Sequence, residues 1–206
     1  MWGTVLKRDL LGETREEDKF YTREKLREYL KSEIEKQGEN VSIRNLDVSF
    51  IEDLHYLFAN IAYGVKTLDL SGWNVSNAKN MSEMFFECRN LETLNVSGWD
   101  TSNVENMSGM FWNCEGFKSL DLSDWNVSNA KDIGWMFYGC TRLKSLDLSG
   151  WNVSNVKDIS WMFSHCPSLE SLDLSGWKTS NVETMDYMFY QCPAPYEVVD
   201  NKIIKK

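Results

Sequence analysis

The sequence predicts an α/β solenoid, a superhelix with a parallel strand ladder and short helical turns, preceded by an N-terminal helical cap. Three observations carry that expectation. One segment recurs five times at an unvarying step of 26 residues. Within each copy the apolar spacing changes from alternation to steps of three. An amphipathic stretch precedes the copies.

The elements follow in chain order. Residues 1–18 read as an N-terminal extension and linker: an apolar stripe of Trp2, Val5, Leu6 and Leu10 precedes polar residues. Residues 19–66 read as the helical cap and a degenerate first coil. Leu26, Tyr29, Leu30 and Ile34 share one stripe of a helix over 22–37, with Thr22 at its start and Gly38 at its end. A worn copy runs from Leu46 to Phe58, displaced by one residue. Residues 67–192 hold the five regular repeats. Residues 193–206 read as a C-terminal strand or hairpin cap, because Pro193 and Pro195 stop the pattern before Glu197–Ile204.

The repeat begins at Leu68, Leu94, Leu120, Leu146 and Leu172. Its tryptophans are Trp73, Trp99, Trp125, Trp151 and Trp177, and its cysteines Cys88, Cys114, Cys140, Cys166 and Cys192. Leu91, Leu94 and Val96 give an L-x-x-L-x-L pattern, so the coil is leucine-rich-repeat-like with a short strand. Val104, Met107, Met110, Phe111 and Cys114 then follow the spacing of one helical face, with Ser102 or Asn103 as its cap. One strand and one turn cannot bury their own apolar side, so neighbouring coils stack to share a core.

The run from Leu146 to Cys166, L-D-L-S-G-W-N-V-S-N-V-K-D-I-S-W-M-F-S-H-C, resembles the BspA-like bacterial leucine-rich repeat surface proteins. The resemblance covers about residues 67–192 and rests on the W-x-x-S-N and M-F-x-x-C combinations. It implies a parallel strand ladder, an adhesion or host-interaction role and a location at the cell surface. The N-terminus, with Lys7, Arg8 and Asp9, reads as lacking an export signal. That reading and the free cysteines point instead to the cytoplasm.

Charge narrows the function classes. The 206 residues carry a formal charge of −9, and residues 67–192 hold eight basic and sixteen acidic side chains. An acidic body repels phosphate backbones, which disfavours direct nucleic-acid binding. No apolar run reaches membrane-spanning length. Neither a nucleophile elbow, a phosphate loop, a zinc-protease motif nor a dinucleotide fingerprint occurs, so the reading is of a non-enzymatic protein without cofactors. The cysteines share one core-facing position in separate repeats, without the close pairs that metal sites use. They read as buried inert thiols, and no metal is expected.

Two surfaces remain as candidates for holding a protein partner. Glu83, Gly109, Trp135, Trp161 and Tyr187 share one position, and Phe86, Trp112, Tyr138, Ser164 and Tyr190 another three residues on. The aromatic candidates are Trp112, Trp135, Tyr138, Trp161, Tyr187 and Tyr190, since Trp and Tyr dominate interface hot spots. The plain alternative is rings that merely stack on one another. The second surface is an acidic concave face of Asp69, Asp121, Asp147 and Asp173, suited to a basic partner surface. Its plain alternative is a solvated, hydrogen-bonded row that the repeat requires. The leading expectation is a non-catalytic protein-binding protein. The alternative is a small intracellular effector or inhibitor of mobile-element origin, blocking a host protein through the acidic or aromatic surface.

Overall fold

The computed structural model describes residues 22–199 and 202–205. The apolar stripe Trp2, Val5, Leu6 and Leu10 lies outside them. One helix, α1 (Arg23–Gln37), is followed by seven short strands: β1 (Asn40–Ser42), β2 (Thr67–Asp69), β3 (Thr93–Asn95), β4 (Ser145–Asp147), β5 (Ser171–Asp173), β6 (Tyr196–Val199) and β7 (Lys202–Lys205). The Thr22 hydroxyl accepts the Lys25 amide, and Gly38 ends the helix with its amide on the Ile34 carbonyl. Leu26, Leu30 and Ile34 form its buried stripe.

These elements correct the predicted fold class. The strands make three small separate sheets: β1-β2-β3 parallel, β4-β5 parallel and β6-β7 antiparallel. No strand ladder runs the length of the described residues, and no helix lies in any repeat, so the α/β solenoid with its superhelix and helical cap gives way to a small-β and loop architecture. Two physical reasons stand out. The ladder stops after β3: Leu70 and Gly72 donate to Asn95 and Ser97 across one repeat boundary, a step that Val96 and Gly98 do not repeat on the next. The break coincides with Phe117, which stands where the other repeats have Leu91, Leu143 and Leu169. The expected helical turns fail because each repeat passes twice through the left-handed region there, at Trp135 and Gly139 for example (φ 60° and 70°). Two such residues within five cannot continue a right-handed helix. Nor do Ser102 and Asn103 cap a helix: the Ser102 amide donates to Asp100, and the Asn103 amide nitrogen donates to the Ser76 carbonyl.

Neighbouring repeats are nonetheless bonded in register. Phe85, Phe111, Phe137 and Phe163 donate their amides to Met110, Met136, Met162 and Met188, each in the next repeat. The segment from Asn40 pairs with the first regular repeat at a step of 27, with Val41 opposite Leu68 and Asp53 opposite Asn80. The core consists of matching rows. Phe85, Phe111, Phe137 and Phe163 stack at 5.6 Å, and Trp73, Trp99 and Trp125 at 6.1 and 6.2 Å. Indole N–H groups of Trp73, Trp99, Trp151 and Trp177 donate to the carbonyls of Ile43, Leu70, Leu122 and Leu148. Trp125, beside the sheet break, is the buried exception without an acceptor.

Candidate functional site

The left-handed turns bring the aromatic candidates together. Tyr56, Glu83, Trp135, Trp161 and Tyr187 have φ between 52° and 60°, and Gly109 occupies the same place in its repeat at 59°. A left-handed residue turns its side chain out of the path of its neighbours. Met136 and Phe137 are therefore fully buried, while Trp135 between repeats stays half exposed. Trp112 stacks on Trp135 at 4.9 Å, Trp135 on Trp161 at 4.9 Å and Trp161 on Tyr187 at 4.4 Å. Tyr138 lies 5.0 Å from Trp135, and Tyr190 stands edge-on to Tyr187 at 6.0 Å. All six predicted aromatic residues thus form one surface row, on turns rather than on a helix face. Tyr187 and Tyr190 end it at 59% and 48% exposure.

His165 belongs to this row, although the repeat position it shares with Glu87, Asn113, Gly139 and Gln191 carries no other ring. Ser164 interrupts the aromatic series, and the His165 ring fills the gap, 4.9 Å from Tyr138 and 5.4 Å from Tyr190. The buried Ser164 hydroxyl donates to the Tyr190 carbonyl and bonds His165 Nδ1 at 2.9 Å. A serine beside a histidine, at the one repeat where the aromatic series lapses, was the available signal.

The acidic row is divided. Asp69 sits in the first sheet, 3.5 Å from the Arg44 guanidinium, and Asn95 follows it. Asp121, Asp147 and Asp173 line a shallow groove of about 490 Å³ with Ser119, Ser145 and Ser171. Each of the four carboxylates accepts the amide two residues on, from Ser71, Ser123, Ser149 and Ser175. The hydroxyl and amide of Ser123 hold Asp121 below the usual carboxylate range, and the amide and hydroxyl of Ser149 do the same for Asp147. One oxygen of each carboxylate therefore builds the turn; the second oxygen of Asp69 faces Arg44, whereas those of Asp121, Asp147 and Asp173 make no bond within the described residues.

The thiols face inward. Cys114, Cys140 and Cys166 donate to the carbonyls of Phe85, Phe111 and Phe137. Burial pushes Cys88 up to about 12 and raises Cys114, Cys140 and Cys166 as well, so these groups are protonated and unreactive at neutral pH. His55 bonds Ser82 through Nδ1. Among the described residues no three His, Cys, Asp or Glu side chains converge as a metal site, and no helix is long and apolar enough to cross a membrane. Exposed pairs Glu52–Lys79, Glu105–Lys131 and Lys157–Glu183 link successive repeats; a charge at one fixed repeat position was their unread signal.

A chain of near-identical 26-residue units, with invariant rings inside and a variable ring row outside, is a repeat protein whose individuality lies on its surface. It belongs to the family described as Mycoplasma protein of unknown function, DUF285, whose model matches residues 26–146 and 119–201. No curated protein matches the chain.

Proposed function

We propose that the chain is a non-catalytic protein-binding module, akin to the BspA-like repeat surface proteins, and that it holds its partner on the aromatic row from Trp112 to Tyr190. The observation that carries this reading is conformational. Trp135, Trp161 and Tyr187 occupy left-handed positions where Gly109 serves the same backbone, and a bulky side chain there costs about 1–2 kcal/mol. The same turn is made by Glu83 and Gly109, so the backbone does not itself demand these rings. The rings are large, rigid and partly exposed, as interface anchors are. Affinity capture from the producing cells, with mass spectrometry, tests the reading. A partner held by the native chain at both low and high salt, and lost from a Trp135→Ser/Trp161→Ser variant, is the expected result. A partner retained by that variant would refute it.

The groove of Asp121, Asp147 and Asp173 supports a second reading, an inhibitor that occupies a basic protein surface. Its carboxylates keep one unengaged oxygen each at exposed positions. Capture that fails at high salt and survives loss of the tryptophans would favour it, because salt screens exposed charge pairs.

A further inference from the structure

The two ends of the repeat stack are finished differently. In each interior boundary, alternate amides of one repeat meet carbonyls of the next: Trp161, Phe163 and His165 donate to Asp186, Met188 and Tyr190 at 2.8–2.9 Å. In the segment that precedes the first regular repeat the matching carbonyls are occupied. Arg23 donates to the His55 carbonyl at 3.0 Å, and Arg27 donates to Tyr56, Leu57 and Ala59. At the last repeat the amides of Tyr187, Phe189 and Gln191 have no acceptor among the described residues.

The strand side of the last repeat is open too. β5 pairs with β4 along one edge, and no described strand pairs with the other. Leu148 donates to the Asp173 carbonyl at 3.0 Å, whereas its counterpart Leu174 reaches only the Tyr196 hydroxyl, at 3.4 Å. Trp177 is half exposed, while Trp73, Trp99, Trp125 and Trp151 are buried. Beside this edge runs a cleft of about 600 Å³, lined by Leu172, Leu174 and Trp177 on one wall and by Tyr196 and Ile203 of the β6-β7 hairpin on the other.

We propose that this cleft is a strand-docking site, in which an extended segment of a partner protein adds parallel to β5. Unpaired strand edges recruit strands, the backbone bonds giving affinity and the side-chain pockets selectivity. The chemistry of the occupant follows from the repeats themselves. The surface of β5 is the one on which β4 already carries a neighbour in parallel register, Leu146 opposite Leu172. Its complement is a segment with leucines at alternate positions and an aromatic residue three further on. A second copy of this chain does not supply it, since α1 packs on β1 and the carbonyls of the segment before the first repeat are already taken by Arg23 and Arg27. The site shares no side chain with the aromatic row proposed above and stands without it.

A fluorescein-labelled peptide copying residues 144–152 is the probe, titrated with the full chain by anisotropy while sedimentation velocity follows the chain alone. Saturable binding is expected, weakened at least tenfold by Ile203→Trp, which fills the cleft; far-UV circular dichroism checks that variant's fold. The same loss is expected with native protein when the peptide is N-methylated at its first serine, which then cannot donate to the Glu170 carbonyl. Trp135→Ser/Trp161→Ser should bind the peptide as the native chain does. No saturation up to about 1 mM overturns the proposal. So does equal affinity for the N-methylated peptide, or in Ile203→Trp. A dimer that the peptide dissociates would assign the cleft to a second copy and likewise overturn it.

Discussion

Replacing Trp135 by glycine and, separately, by alanine tests the conformational reasoning behind the aromatic row. Both substitutions remove ring contacts with Trp112, Trp161 and Tyr138, at 4.9, 4.9 and 5.0 Å. Such pairs are worth roughly 0.5–1.5 kcal/mol each, so each variant should lose about 1.5–4.5 kcal/mol of stability. The two then differ in the backbone. Alanine keeps the left-handed penalty of about 1–2 kcal/mol at φ 60°, whereas glycine relieves it. Glycine gives back about 0.4–1 kcal/mol through its freer unfolded chain. Trp135→Gly should therefore be more stable than Trp135→Ala by about 0.5–1 kcal/mol, reversing the order found in regular structure. Urea unfolding followed by far-UV circular dichroism reads both. The reverse substitution, Gly109→Ala, should cost about 1 kcal/mol. Most of that is backbone, because the new Cβ would meet only side-chain atoms, Glu83 at 3.0 Å and Trp112 at 3.4 Å. If Trp135→Ala proves as stable as Trp135→Gly, the turn stores no strain, and the argument that these rings are kept for binding loses its basis.

Alkaline pH should destabilise the fold through the thiols. Their folded titration is raised, to about 12 at Cys88, above the unfolded value near 8.5. The folded state then holds more protons, and stability that is complete below about pH 8.5 falls by roughly 1.4 kcal/mol per pH unit for each buried thiol; urea midpoints from pH 8 to 10.5 should show the decline, and a flat profile would contradict the burial. Arg27→Ala should lower the melting temperature and speed proteolysis between α1 and β2, costing about 2–4 kcal/mol, because it leaves the Leu57 and Ala59 carbonyls without their charged donor. Trp99→Phe abolishes a 3.0 Å bond to the Leu70 carbonyl, whereas Trp125→Phe removes a donor that has no acceptor. The first should cost about 1 kcal/mol more than the second in paired urea titrations.

The parts of this molecule that identity and period encode are legible in the sequence alone. The 26-residue step is printed in the leucines, tryptophans and cysteines, and α1 is marked by its apolar stripe between Thr22 and Gly38. The aromatic row was legible for the same reason, as two repeat positions three residues apart that are rich in large rings. The turns were not, because steps of three at Val104, Met107 and Met110 describe two successive turns as well as they describe a helix. The deciding signal lay between those residues: Gly109, Asn113 and Gly139 are the types that tolerate a left-handed backbone. Read that way, they forbid the helix and turn the neighbouring rings outward. The aspartates carried a similar signal. Asp121-Leu122-Ser123 has the spacing of a side chain that accepts the amide two residues on, so part of the acidic row is turn chemistry before it is surface charge. What no repeat pattern encodes is the treatment of the ends. Arg23 and Arg27 look like ordinary solvent-facing helix residues until the helix is placed against His55 and Leu57. The open edge of β5 likewise becomes visible only when each amide is asked for its acceptor. A strictly periodic chain is therefore most predictable where its repeats agree and least predictable where the series must stop, and the stopping end is where a partner strand finds unpaired backbone.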